Sequence, residues 1–143
     1  MASAALHGRF ASLRVSTAST ATTAQTALAE LQNYTVTVEG DYIDVTSHDS
    51  SGWREGLNGT RRWSWEAEVV YLSTGAGQLV LRPEFTTATP GLVNVTFKQT
   101  TSNTAKLWKG KTRITGFDIS HPTNDAILGT IRGEGSGSLT RTA

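Results

Sequence analysis

Apolar and polar residues alternate along several segments of the chain, which is the pattern of strands that bury one face. In the segment 34–39 the apolar side chains occupy the even positions, and in the segment 63–71 they occupy the odd positions. The apolar face of the second segment includes Trp63, Trp65 and Tyr71. Both segments are therefore predicted to be half-buried strands.

Four further segments are predicted to be strands, and one is predicted to be a short helix. The strands cover residues 10–17, 92–98, 106–119 and 127–140, and the third is either a strand pair or one long bent strand. The helix covers residues 78–85, although Pro83 cannot donate a backbone hydrogen bond within it. Residues 1–27 are expected to include a flexible or contact arm.

A register change and a long polar loop separate the two clearest strands. After Gly40 the apolar residues Ile43 and Val45 occupy the opposite parity. This change predicts a β-bulge at Gly40 and Asp41 that turns both apolar sets toward one core. The polar segment that follows, residues 44–62, is far longer than a hairpin connection needs.

The composition is typical of an all-β chain. The sequence has 143 residues, among them 23 Thr, 13 Ser and 14 Gly but only 3 Pro. β-Branched and aromatic residues favour strands, and glycine and serine favour the turns between them. The length fits one core, and no repeat or linker divides the chain. We therefore expect a single domain over residues 1–143.

Charge and cysteine content exclude several classes of protein. Thirteen Lys and Arg against twelve Asp and Glu leave a formal net charge of +1, so no global field attracts nucleic acid or acidic lipid. The absence of cysteine removes disulfide frameworks, thiol catalysis and zinc fingers. No segment has the pattern of a secretory signal or a membrane span, so we expect a soluble, unexported protein without membrane contacts.

The charges are nevertheless sorted into two blocks. Residues 30–49 contain five acids and no base, and residues 98–113 contain five bases and no acid. Blocks of opposite charge are consistent either with self-association or with pairing between neighbouring strands of one subunit. In the second block, Lys109, Lys111 and Arg113 also form a minimal nucleic-acid-binding pattern on one strand face.

The polar loop contains residue types that occur in active sites and metal sites. Asp41, Asp44, His48 and Asp49 are of the kind that bind hard metals, and His48 near Ser50 is a fragment of a hydrolase pattern. However, the spacing lacks the ligand order of an EF-hand loop, and the chain has no GxSxG motif. The segment is therefore interpreted as a solvated or interface loop, without catalytic or metal-binding function.

Trp53 and three arginines give this loop the composition of a binding surface. Trp53 lies beside Arg54, and the loop ends in Arg61 and Arg62. Trp and Arg are enriched at interface hot spots. We expect Trp53 either to fold back on its own core or to dock on a partner.

The order of these features resembles one known family. The stretch IDVTSHDSSGWREGLNGTRRW, followed by a strand and a terminal GSGSL, resembles the major tail tube proteins of long-tailed, non-contractile bacteriophages. The resemblance covers residues 27–142. It implies a β-sandwich or barrel with a long inter-strand loop and one short flanking helix. It also implies hexameric rings that stack into a hollow tube, a lumen that conducts DNA, and no enzyme activity or cofactor.

The resemblance assigns residues to three surfaces. The loop would contact a neighbouring subunit or ring through Asp44, His48, Asp49, Trp53, Arg54, Glu55, Arg61 and Arg62. The polar faces of the bracketing strands would line the lumen through Thr35, Thr37, Glu39, Ser64, Glu66 and Glu68. Because bases in the lumen would slow DNA, subunit contacts are expected instead for Lys106, Lys109, Lys111 and Arg113.

The resemblance also implies partners and a location. These are tape measure, tail terminator and distal tail proteins, DNA in transit without sequence-specific binding, and the virion tail after assembly in the host cytoplasm. A tube protein of a bacterial contractile or secretion apparatus shares the architecture and is one alternative. A glycan-binding β-sandwich is the alternative from another class, with Trp53, Trp63 and Trp108 stacking on sugars.

Overall fold

The computed structural model describes residues 11–18, 21–28, 30–71, 74–75, 77–88, 91–100 and 106–142. Within these residues the chain forms seven strands and one α-helix. The strands are β1 (Ser12–Ser16), β2 (Thr26–Ala27), β3 (Leu31–Asp44), β4 (Gly56–Val70), β5 (Val93–Lys98), β6 (Leu107–Ser120) and β7 (Leu128–Thr142), and the helix is α1 (Gln78–Thr86). Two short 3-10 turns cover Thr22–Ala24 and His48–Ser50.

All seven strands belong to one antiparallel sheet, in the order β2-β1-β5-β6-β7-β4-β3. The predicted mainly-β fold with one short flanking helix is confirmed. The sheet is not closed into a barrel, because β2 and β3 are its two edges among the described strands. It curls instead: the rings of Tyr34 on β3 and Phe97 on β5 are 5.6 Å apart, although three strands lie between them.

The core fills the inner face of the curled sheet. The apolar residues predicted to face inward are buried in β1, β4 and β5, including Val15, Trp65 and Phe97. Leu81 of α1 is fully buried against the same cluster, so the helix closes one side of it. Phe97 lies at the centre, with edge contacts to both tryptophans of β4.

The two tryptophans of β4 explain the glycine-rich terminal strand. A Cβ at Gly135 would overlap the indole of Trp63, and a Cβ at Gly133 would lie 2.7 Å from Oγ1 of Thr112 and overlap Trp65. The indole N–H of Trp65 donates to that Thr112 hydroxyl at 2.9 Å, and the hydroxyl donates to the backbone carbonyl of residue 134 at 2.8 Å. The indoles therefore lie directly on the β7 backbone, and glycine leaves them room.

The structure decides three points that the sequence pattern left open, in β6, in α1 and in the N-terminal arm. Residues 107–120 form one continuous strand, β6, with irregularities next to Gly110 and Thr115, so the strand-pair alternative is wrong. The helix forms despite Pro83, and it ends three residues later at Thr86. In the N-terminal arm, residues 12–16 and 26–27 are strands of the sheet, and residues 1–10 lie outside the described part of the chain.

Candidate assembly surfaces

β3 and β4 form a long hairpin whose end projects beyond the core. The loop was predicted to run from Asp44 to Arg62, but β4 already begins at Gly56, so the predicted bounds are wrong. Leu57 and Asn58 lie within the segment assigned to the loop, but they pair with Ile43 and Tyr42 of β3. The sequence pattern did not indicate this strand, because Gly56, Asn58 and Gly59 are residue types that are typical of turns. The connection proper is residues 45–55.

The predicted register change is present, but its extra residue lies on the other strand. Between the pairs Gly40–Arg61 and Tyr42–Asn58, the single residue Asp41 faces two residues of β4. β3 therefore keeps its alternation, and Ile43 stays on the face opposite the core. The expectation that both apolar sets face one core is wrong, since Ile43 is 51% exposed.

The hairpin tip is held by its own hydrogen bonds. The Asp44 carboxylate accepts hydrogen bonds from the backbone N–H of Thr46 and from Nε of Arg54, both at 2.9 Å. The Arg54 guanidinium also lies over the Tyr42 ring, 5.0 Å from its centroid. Hydrogen bonds from Thr46, with a smaller contribution from Arg54, lower the pKa of Asp44 below its ordinary value. The tip is thus built without any packing against the core.

Trp53 is the most exposed large apolar side chain among the described residues. It is 79% exposed at the hairpin tip, so it does not fold back on its own core. The predicted tip residues His48, Asp49 and Glu55 are exposed beside it. Other exposed apolar side chains on the hairpin are Val38, Tyr42, Ile43, Val45 and Leu57. Val38 and Tyr42 lie on one face of the hairpin and Ile43 and Leu57 on the other, and exposed apolar groups concentrated on one element indicate an interaction surface.

The six residues predicted to face a lumen share one face of the sheet. Thr35 lies opposite Glu66, and Thr37 lies opposite Ser64. Because directly opposed residues point to the same side of a sheet, and the core residues alternate with them, this face is turned away from the core. The polar face is here defined as this outer side of β3, β4, β7 and β6, which carries Thr35, Thr37, Glu39, Arg62, Ser64, Glu66, Glu68, Lys111, Arg113, Asp118, Arg132 and Glu134.

Two arginines of the polar face are paired with carboxylates. Nε of Arg62 lies 2.9 Å from Oε2 of Glu39. Arg132 contacts both Asp118 and Glu66, and these two partners, Asp118 most strongly, raise the pKa of Arg132 above its ordinary value. The sequence pattern placed Arg62 in the loop and missed Arg132, although residues 130–134 alternate polar Thr, Arg and Glu with Ile and Gly, which was a usable signal.

The basic residues of β6 lie on the polar face as well. Lys111 is opposite Ser136, and Arg113 is opposite Glu134. They are therefore neighbours of the predicted lumen residues and not members of a separate surface. Lys109 is two residues before Lys111 on the same strand and pairs with Thr140. Exposed Lys106 immediately precedes the strand. The acidic and basic blocks are not cross-strand neighbours, because β7 and β4 lie between β6 and β3.

The described residues contain no group of three or more His, Cys, Asp or Glu side chains that could hold a metal ion. In the same part of the chain, no helix has the length and apolar character to cross a membrane. The exposed His48 and Asp49 belong to a one-turn 3-10 segment at the hairpin tip.

Comparison with known proteins identifies the family. The family model described as phage tail tube protein matches residues 7–141. No curated protein sequence matches the chain. The tail of an empty gene transfer agent particle, refined with C6 symmetry, has a TM-score of 0.76 at 20% identity over 97% of this chain and 100% of that chain. The SPP1 tail tube has a TM-score of 0.76 at 12% identity over 97% of this chain and 80% of that chain.

A third solved structure extends the likeness to contractile machines. The sheath-tube complex of the PVC extracellular contractile injection system matches with a TM-score of 0.68 at 9% identity, over 97% of this chain and 93% of that chain. At these identities the structures establish a shared fold. The family match covers nearly the whole chain, and it agrees with a polar sheet face and an exposed apolar hairpin. The chain belongs to the phage tail tube protein family and is a structural subunit of a phage tail tube, not an enzyme.

Proposed function

We propose that six copies of the chain close into a ring, that rings stack into a hollow tube, and that DNA passes through the lumen. The observation that carries this proposal is a four-stranded panel, β3-β4-β7-β6, with a polar outer face and two open edges. The number six follows the C6 symmetry of the gene transfer agent tail, which has the same fold. The long, non-contractile type of tail is supported by the higher TM-scores to that tail and to the SPP1 tube.

The two open edges of the panel explain why a ring forms. β3 is an edge of the whole sheet, and β5 pairs with β6 only over Leu107–Thr112. Residues 113–120 of β6 therefore have a strand partner on one side only among the described strands. Unpaired strand edges favour pairing with another chain. Pairing β3 of one copy with this part of β6 in the next would join the panels into a continuous barrel.

The size of that barrel supports a conducting lumen. Four strands from each of six copies make about 24 strands, which at about 4.8 Å per strand and a tilt of about 40° give a circumference of about 150 Å. The backbone diameter is then about 48 Å. Barrels of about 16–18 strands already enclose an aqueous channel. The interior would be lined by the polar face.

The chemistry of the polar face suits passage of DNA. Small hydroxyl side chains such as Thr35, Thr37 and Ser64 offer no charge to phosphate, and Glu66 repels it at close range. Arg132 would attract phosphate, but it is occupied by carboxylates on both neighbouring strands. Phosphate contacts that would hold DNA are thereby reduced, which favours sliding over binding.

The basic residues of β6 are proposed to act at the subunit boundary. Lys111 and Arg113 lie on the strand at one margin of the panel, and the acidic β3 lies at the other margin. When panels join edge to edge, the β6 margin of one copy meets the β3 margin of the next. The bases then face carboxylates such as Glu39 and Asp41, which would shield DNA from their charge. Lys106 and Lys109 lie beside β5, outside the open segment of β6, and are proposed to contact the next copy through their side chains alone.

The hairpin is proposed to contact a neighbouring subunit or ring. Its tip carries the exposed Trp53 and does not pack on its own core, so its apolar surface is available for a second copy. Contacts with tape measure, tail terminator and distal tail proteins, and assembly in the host cytoplasm, complete the proposal by family membership.

A thiol-accessibility experiment tests the lumen assignment. The chain has no cysteine, so Thr37→Cys introduces a single thiol on the polar face. A small maleimide should label this thiol in monomers and in tubes, whereas a bulky branched polyethylene glycol maleimide should label only monomers. Equal labelling of monomers and tubes by the bulky reagent would contradict the assignment of the polar face to the lumen.

A further inference from the structure

An apolar groove opens at the unpaired side of the curled sheet. It has a volume of about 310 Å³ and is lined by Tyr34, Val36, Val38, Phe97, Gln99, Trp108 and Leu139. Its floor is the buried Phe97, and its mouth is at Val38, which is 58% exposed although it continues the inward-facing row of β3. An open groove of this size and chemistry has room for a large aromatic side chain.

The groove and the exposed tryptophan cannot meet within one chain. Trp53 lies beyond the end of β3 at Asp44, and β3 runs from Val38 to Asp44 at about 3.3 Å per residue, about 20 Å in all. Strand pairing from Gly40–Arg61 to Asp44–Gly56 holds the tip away from the groove. A tryptophan seated in this groove therefore has to come from another copy.

The rims of the two surfaces have complementary charge. The hairpin tip that carries Trp53 also carries the exposed carboxylates Asp49 and Glu55, while Arg54 forms an ion pair with Asp44. At the groove, the Arg141 guanidinium lies over the Trp108 ring, 5.4 Å from its centroid. Exposed Lys106 adjoins the groove, because the backbone carbonyl of Lys106 accepts a hydrogen bond from the backbone N–H of the groove residue Gln99. The acidic tip thus fits a basic rim, and electrostatic complementarity of this kind fixes the register of an interface.

We infer that Trp53 of one copy inserts into this groove on a second copy, with Asp49 and Glu55 against Arg141 and Lys106. The inference rests on the proposed tube assembly and names the acceptor for its hairpin. In the proposed ring or stack the donor and the acceptor lie on successive copies, so the contact is head-to-tail and propagates from copy to copy. Such a contact builds rings or stacks and does not end at a dimer.

Photochemical cross-linking locates the acceptor directly. Trp53 is replaced by the photoreactive aromatic amino acid benzoylphenylalanine in the full-length chain, and assembled tubes containing equal amounts of ¹⁴N- and ¹⁵N-labelled protein are irradiated. Mixed-isotope cross-links should map to the groove and its rim, that is to residues 34–38 of β3, 97–99, 106–108 or 139–141. Links to α1 or another surface, or links within a single chain, would overturn the inference while leaving the tube assembly intact. Failure of the unmodified chain to form tubes would contradict the assembly and the inference with it.

The critical concentration for assembly gives an independent readout. Trp53→Ala should raise it at least about 30-fold, the factor that corresponds to the 2 kcal/mol of an interface hot spot. Trp53→Phe should have a smaller effect, because it keeps an aromatic side chain. Val38→Glu should raise the critical concentration comparably by placing a carboxylate in the groove, whereas Val38→Ala should change it little. Unchanged circular dichroism of each monomer controls for folding.

The double variant decides whether the two sites touch. If Trp53 occupies the groove, Trp53→Ala combined with Val38→Glu should be no worse than the more severe single variant, because one contact cannot be lost twice. If the increases in critical concentration of the two single variants multiply in the double variant, the two sites are independent and the inference is overturned. A Trp53→Ala variant that assembles within about twofold of the parent concentration would overturn it as well.

Discussion

Replacing Gly135 with alanine tests how β4 packs on β7. The structure places the indole of Trp63 directly on Gly135, with Cε2, Nε1 and Cδ2 all inside the space that a Cβ would take. Carbon atoms in favourable contact lie about 3.5–4.0 Å apart, so the methyl group and the indole cannot both remain where they are. Trp63 must move, and it is 5% exposed in a filled core.

The cost of that movement has two parts. Overpacking a close-packed core costs about 1–3 kcal/mol. Displacing Trp63 also breaks the hydrogen bond that its indole N–H donates to the backbone carbonyl of Gly137 at 3.0 Å, worth about 1 kcal/mol. Gly135→Ala should therefore lower the free energy of unfolding by about 3 kcal/mol, which for a chain of this size lowers Tm by about 6–12 °C.

Urea denaturation of dilute monomer, followed by circular dichroism, measures the effect. Gly116→Ala on β6 is the matched control, because the nearest atom to its added Cβ is 3.8 Å away, on the side chain of Arg132. This control should be neutral or stabilising by up to about 1 kcal/mol, since a glycine is removed from a strand. Equal stability of Gly135→Ala and Gly116→Ala would refute the packing argument.

Three further predictions concern the core, the hairpin tip and the polar face. Thr112→Val leaves the buried indole N–H of Trp65 without its acceptor, so the free energy of unfolding should fall by about 1–3 kcal/mol in the same denaturation; no change would contradict the role of this bond. Since the folded pKa of Asp44 is lowered from 3.8, the hydrogen-bonded tip is stabilised above that pH and loses this stabilisation as pH falls through the folded value. The Thr46 amide NMR signal should accordingly titrate below pH 3.8, and Asp44→Asn should abolish that titration. Arg132→Gln should leave the urea midpoint almost unchanged, because its ion pairs are exposed to solvent, and a clear fall of the midpoint would show a structural role.

Much of the fold could be predicted because each strand buries one face. The alternation around Trp63 and Phe97 predicted the strands that now form the core. The extension of β4 through residues 56–62 was not predictable, because its pairing with β3 is carried by backbone hydrogen bonds and its glycines resemble a turn. The curl of the sheet was also hidden, since bulges bend strands and the register shifts between β6 and β7 involve two strands at once.

The polar face could be predicted only for strands that are neighbours. Thr35 and Glu66 were assigned together because two adjacent alternating strands expose their polar sets on one side. The position of Arg113 on the same face depends on its register with Glu134 of β7, and the parity of a single strand does not fix that register. The exposure of Trp53 likewise depends on a hairpin that projects beyond the core, which the alternation of residues does not determine.

Cryo-electron microscopy of assembled tubes, at a resolution that separates strands, shows directly how the copies pair. We expect a six-fold ring in which β3 of each copy lies beside residues 113–120 of β6 in the next, with Thr37 and Glu66 facing the lumen. A tube with this polar face on its outer surface, or with β3 unpaired, would contradict this expectation.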